Sequence, residues 1–143
     1  MATGGLRRPV VHYRPAQQAN MPFVEIIIPP RQSMDRAAVA NRVTAALVRA
    51  FGISREIVSI YFIDIGADGY AHAGSIEAAE QRLFVKVHAF RRVAEQRRRA
   101  AAAITTEIVT ICNIPAQNIA VYFLEREPDE VAHAGRLASD SIQ

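Results

Sequence analysis

Histidines, tyrosines, one cysteine and a cluster of arginines are the side chains in this chain that could do chemistry. His133 sits in the block Ala132-His133-Ala134-Gly135, and His72 sits in an identical block, Ala71 to Gly74. An imidazole titrates near neutrality, so either could act as acid or base. Recurrence in both blocks favours a turn or interface role instead. Tyr61 and Tyr122 recur in the same way, so core packing competes with hydrogen-bond donation. Arg91, Arg92, Arg97, Arg98 and Arg99 form a basic group. A guanidinium can clamp a carboxylate through two parallel hydrogen bonds. Most of this group reads as a solvated face, with Arg92 and then Arg91 as the pocket candidates. His88 falls inside a strand pattern and His12 near the N-terminus, neither with an evident partner. The four histidines and Cys112 show no metal-ligand spacing, so no metal is expected. Gly66 and Gly69 mark a turn, since no Lys-Ser/Thr follows as a phosphate loop requires. Cys112 ends an apolar helical pattern and reads as a small buried hydrophobe.

The elements that position these residues come from an internal repeat. Residues 22–74 align without a gap on residues 83–135, at a constant offset of 61, with 15 of 53 positions identical. The identities include Phe23/Phe84, Arg31/Arg92, Arg36/Arg97, Thr44/Thr105 and Tyr61/Tyr122. A gapless match that ends in a shared tetrapeptide makes the repeat the unit of the fold.

Each repeat reads as strand, helix, strand. The first strands are FVEIII (23–28) and LFVKVHA (83–89), rich in β-branched and aromatic residues. In the first helix Val39, Val43, Leu47 and Phe51 recur every four residues, and in the second Ile104, Ile108 and Cys112 do so. Gly52 and Asn113 stop the two helices at equivalent positions. The second strands are IVSIYFI (57–63) and NIAVYFL (118–124). A long helix between two strands makes a right-handed parallel crossover. The expectation is an α/β (α+β) fold: a four-stranded sheet with two helices on one face. Residues 1–21 form a leader that is flexible or removed. Residues 75–82 link the repeats, and 136–143 form a tail that frays or packs on a neighbour.

Composition allows one domain. Half of the 143 residues are hydrophobic and 22% are charged, which suits a folded core. No run of about 18 apolar residues exists to span a membrane. The leader has no apolar core of signal-peptide length, and one thiol makes no internal disulfide. A cytoplasmic protein is expected. The net charge of +3 is equally compatible with nucleic acid and with a small anionic substrate, so it decides nothing alone. A nucleic-acid partner is disfavoured, because no aromatic–basic interleaving marks the strands. FVEIII and VYFL are too continuously apolar to leave the second sheet face in water. Another subunit is expected to cover it, making a homo-oligomer.

The stretch MPFVEIII, a basic residue after the first strand, the helix, the second strand and the Gly-ended turn together resemble the tautomerase superfamily. The resemblance covers residues 21–135 and is to the long form, with two fused β-α-β units and trimeric assembly. The segments NIAVYFLEREPDEVAHAGRL and LFVKVHAFRR are similar to the cis-chloroacrylic acid dehalogenase group. The resemblance implies a macrophage migration inhibitory factor-like fold, no cofactor and a small carboxylate substrate. It implies that Pro22 is a catalytic N-terminal proline, that Arg92 and Arg31 bind substrate, and that Tyr70 lines the pocket. Tyr122 matches a tyrosine of the second repeat. Three positions depart from the pattern. His133 replaces the dehalogenase group's water-activating glutamate, Leu47 its first-helix histidine, and Ser59 the short members' second arginine.

The resemblance implies a keto–enol tautomerase. An N-terminal proline offers a secondary amine, and a free α-amino group titrates near ~8. Burial and nearby arginines lower that value, so the neutral amine can shuttle a proton. Arg92 would hold the carboxylate, Tyr122 would donate to the enolate oxygen, and His133 would be a second acid or base. Decarboxylation or hydration on the same scaffold are the related reactions. The amine exists only if translation starts at Met21 or the leader is cleaved. Otherwise the expectation is a non-catalytic oligomeric binding domain.

Overall fold

A computed structural model of the chain describes Gly5 and residues 22–141. The rest of the expected leader, His12 and the last two residues lie outside the described residues. The first repeat is β1 (Phe23–Ile28), α1 (Arg36–Phe51) and β2 (Ser59–Asp64). The second is β3 (Leu83–Phe90), α2 (Ala94–Cys112) and β4 (Ile119–Arg126). A short hairpin, β5 (Ala132–His133) and β6 (Arg136–Leu137), follows.

The sheet order is β2-β1-β3-β4. β1 runs parallel to β2 and β3 runs parallel to β4, as a crossover through a helix demands. The two repeats meet at β1 and β3, which pair antiparallel with Phe23 opposite His88 and Ile27 opposite Phe84. The expected α+β fold, with four strands and both helices on one face, is what the chain adopts.

One face of the sheet and one stripe of each helix make the core. Val24, Ile26, Val85 and Val87 point toward the helices and are fully buried. Val39, Val43 and Leu47 of α1 meet them, as do Ala100, Ile104 and Ile108 of α2. Leu47 thus fills core volume. Asp35 starts α1 by accepting a hydrogen bond from the Ala38 N–H at 3.1 Å. Gly52 and Asn113 end the helices in the left-handed conformation, at φ 65° and 54°. The second strands begin later than the sequence predicts. Short 3-10 turns, Arg55–Ile57 and Ala116–Asn118, occupy the expected starts.

The repeated Ala-His-Ala-Gly block is a tight turn. His72 bridges Ser75 and His133 pairs with Arg136, while the Ala-Gly pairs between them hold positive φ. Two consecutive left-handed residues define the turn type that suits a two-residue hairpin. Both histidines are therefore turn-flanking residues. In the tail, β6 is followed by a 3-10 turn, Ala138–Ser141, and Ala138 is buried.

The outer sheet face is less uniformly apolar than the sequence suggests. Its central row reads Tyr61, Glu25, Lys86, Tyr122 across the four strands. Tyr61 is 58% exposed and Tyr122 55% exposed, so neither is a core residue. Among the described residues no helix is long and apolar enough to cross a membrane.

Two measurements test this packing. Leu47→Ala should lower stability by about 2–5 kcal/mol, read as a shift in the urea midpoint. Burial pushes the Cys112 thiol above its ordinary value, which lowers its thiolate fraction at pH 8. Its alkylation should be on the order of tenfold slower in the native protein than in urea.

Candidate active site

Pro22 precedes β1, and its side chain is fully buried. Its carbonyl accepts a hydrogen bond from the Ser59 N–H at 3.3 Å, which anchors the start of β1 against β2. Beside it lies a cavity of about 260 Å³ lined by Pro22, Phe23, Ser59 and Tyr61. The Tyr61 ring meets Phe23 edge-on, with centroids 5.9 Å apart. The cavity therefore has apolar walls and two hydroxyls, from Ser59 and Tyr61. Tyr61 is the residue that sequence reasoning passed over in favour of Tyr122. The usable signal was strand register: parallel pairing sets Phe23 opposite Ser59, and Tyr61 follows two residues later on the same face.

The antiparallel seam decides which arginine lies near Pro22. Continuing its register sets Pro22 opposite Ala89, so Arg92 lies three residues past that point, at the same end of the sheet. The guanidinium of Arg92 sits 4.9 Å from the ring centroid of Phe51, the last residue of α1. Its backbone is held on both sides. The Arg92 N–H donates to Glu125 Oε2, and its carbonyl accepts from Arg97 Nη1. Arg97 also pairs with Glu125 Oε1 at 2.6 Å. Burial pulls the Arg92 guanidinium below the ordinary arginine value, opposed by the Glu125 carboxylate. It stays cationic at neutral pH, because arginine starts so high. A cation that is partly stripped of water binds an anion more strongly than a solvated one.

The rest of the basic group is accounted for. Arg91 is exposed and pairs with Glu127 at 3.1 Å, while Arg98 and Arg99 both reach Glu95. Arg97 is the one that positions Arg92.

Four other candidates stand apart from Pro22 in a single protomer. Arg31 lies beyond the far end of β1 and donates to the Ala78 carbonyl at 2.8 Å. Tyr70 uses its hydroxyl to accept the Arg82 N–H at 3.0 Å and so fastens the linker. Tyr122 is on the outer face of β4, two strands from β1 and roughly 10 Å away. It stacks with Phe84 at 5.7 Å. His133 is exposed in the β5–β6 hairpin. Among the described residues no cluster of three or more His, Cys, Asp or Glu side chains could hold a metal.

No family model matches the sequence, and no curated protein matches it significantly. Solved structures do match. Pt0534, inactivated by 2-oxo-3-pentynoate, superposes with a TM-score of 0.76 at 21% identity, covering 85% of this chain and 99% of that one. A fused 4-OT that forms an asymmetric trimer gives 0.78 at 18% identity, covering 85% and 99%. A member of the cis-3-chloroacrylic acid dehalogenase family gives 0.68 at 25% identity, covering 80% and 82%. The expected resemblance holds at the level of architecture: this chain carries the fused two-repeat fold of the tautomerase superfamily.

Proposed function

We propose that the protein is a keto–enol tautomerase of small 2-oxo or unsaturated carboxylates, with Pro22 as general base once it is the chain's N-terminus. The observation that carries this reading is a fully buried Pro22 beside a cavity, at the sheet end where Arg92 lies partly desolvated. A secondary amine in that place loses solvation of its ammonium form and sits near a cation, so its pKa falls below ~8. Neutral, it takes a proton from the carbon next to the carbonyl. The C–H electron pair becomes the enol double bond, and charge moves to oxygen. Arg92 holds the carboxylate, and a hydroxyl stabilises the oxyanion. The ammonium then returns its proton to carbon or oxygen, so nothing is consumed.

Within one protomer the hydroxyls available are those of Ser59 and Tyr61. Tyr122, His133, Arg31 and Tyr70 could serve this cavity only from a neighbouring copy. A homotrimer is the proposed assembly. It is supported by the fused 4-OT trimers of the same fold and by the half-exposed aromatic residues on the outer sheet face. Dehalogenation and hydration are less well supported, because His133 and the core residue Leu47 stand where the dehalogenase-like pattern has its glutamate and histidine.

A second reading follows from the sequence itself, which has residues before Pro22. An amide nitrogen has no basic lone pair, so a form that keeps them binds ligands without turnover.

Ketonisation of phenylenolpyruvate tests the proposal. Protein beginning at Pro22 should be active, and protein that keeps residues 1–21 should not. Intact mass identifies which form cells make. Pro22→Ala should lower kcat/KM by on the order of 10²-fold. Activity at both chain starts would refute the amine mechanism. Arg92→Ala should raise KM by about tenfold or more, and kcat/KM should climb with pH through the ammonium's pKa, below ~8. A flat profile from pH 5 to 8 would remove Pro22 as the base.

A further inference from the structure

The pseudo-twofold at the β1–β3 seam gives the sheet two equivalent ends. At one end Pro22 faces Ala89 and Arg92 follows. At the other, the same register sets Leu83 opposite Ile28, and Arg31 follows three residues later. Leu83 is fully buried, as Pro22 is. The second end thus repeats the first with a leucine in place of the proline.

A cavity of about 300 Å³ lies there, separate from the one at Pro22. Its polar lining includes Arg31, Gln32, Glu80, Gln81, Asn113 and Asn118. Arg31 is positioned by two hydrogen bonds. Its backbone N–H donates to Gln81 Oε1 at 3.1 Å, and Nη2 donates to the Ala78 carbonyl at 2.8 Å. A guanidinium has five N–H donors, and among the described residues the N–H groups on Nε and Nη1 of Arg31 make no hydrogen bond. Glu80 lines the same cavity but makes no ion pair with Arg31. Negative potential from the end of α2 is reduced locally, because Gln32 Nε2 donates to the Cys112 carbonyl at 3.3 Å. Asn118 is buried, and with Asn113 it adds neutral amide donors to the lining.

We infer that this second cavity is a binding site for a small carboxylate that does no proton transfer. Arg31 takes the carboxylate, and the Asn113 and Asn118 amides take a second polar group on the ligand. Residue 83 lies inside the chain whatever the start of translation. No residue there could present a chain-terminal amine, so occupancy has no turnover attached to it. The site does not depend on Pro22 being a free amine.

Binding of 2-oxobutanoate to the full chain tests this, read by calorimetry and by the side-chain amide signals of Asn113 and Asn118. The Arg92→Ala variant removes the arginine of the Pro22 cavity from the count. It should keep one binding event per chain, and both amide signals should shift. Adding Arg31→Ala should weaken that event by about tenfold or more, and Arg31→Lys should restore part of it, as a point charge without the fork. Arg31 is exposed, and the melting temperature of each variant checks that it folds. Loss of all binding in Arg92→Ala would overturn the inference. So would amide shifts that ignore Arg31→Ala. The readout is binding alone, so failure of phenylenolpyruvate turnover would count against the tautomerase reading and leave this one standing.

Discussion

The antiparallel pairing of β1 with β3 is the constraint on which the rest of the structure depends. Each β-α-β unit alone has a two-stranded parallel sheet, too narrow to bury its own helix. Joined at this seam, the units share a core in which Val24, Ile26, Val85 and Val87 are fully buried. The seam also sets the chemistry of each end. A one-residue slip would turn every one of these valines and isoleucines to the opposite face, so burial locks the register. The antiparallel direction of the pairing is what brings Arg92 to the end where Pro22 begins its strand, while Arg31 follows the other end of β1. On the outer face the register sets Glu25 opposite Lys86 at the pseudo-twofold position, with the Glu25 carboxylate bonded to His88.

The repeat is symmetric in backbone and unequal in chemistry. Arg36 and Arg97 are identical positions of the repeat, and each pairs with an acid at the end of its second strand, Asp64 or Glu125. In the first repeat both side chains are largely exposed, at 48% and 66%, so the pair contributes little. In the second the values are 32% and 16%. There the pair also fixes the backbone of Arg92. The same identity in sequence therefore serves as a surface contact in one repeat and as a positioning device in the other. His88 shows the same inequality. It stacks on Phe23 at 4.1 Å and bonds Glu25 at 2.8 Å, whereas its counterpart is Ile27.

Much of this was legible in the sequence, for identifiable reasons. The strand–helix–strand units, the helix stops at Gly52 and Asn113 and the buried helical stripe all follow from local periodicity and capping chemistry. Those are short-range signals. The late start of the second strands was not legible, because Ile57 is apolar enough to read as strand while it packs into the core from a 3-10 turn. The neighbours of Pro22 were less legible still. Tyr61 reaches that cavity through pairing between strands more than thirty residues apart in sequence, and no periodicity within one element encodes which strand lies beside which. The link from the Tyr70 hydroxyl to the Arg82 N–H was equally hidden, because it joins residues twelve apart across an irregular linker.

The unequal ends follow from a limit on what a repeat can duplicate. A side chain can be copied to the equivalent place in a second repeat, and the arginine after the first strand was. A chain terminus cannot be copied, because a fused chain has only one. If the base is the amine of the first residue, fusing two units leaves one of the two equivalent ends without it, whatever residue stands there. Position 83 is then free of any chemical requirement and answers only to packing. A buried leucine, whose whole side chain is apolar, meets that requirement at the start of β3. The retained Arg31 is the part of the arrangement that packing alone does not ask for, since its guanidinium is exposed and its removal would leave the core intact.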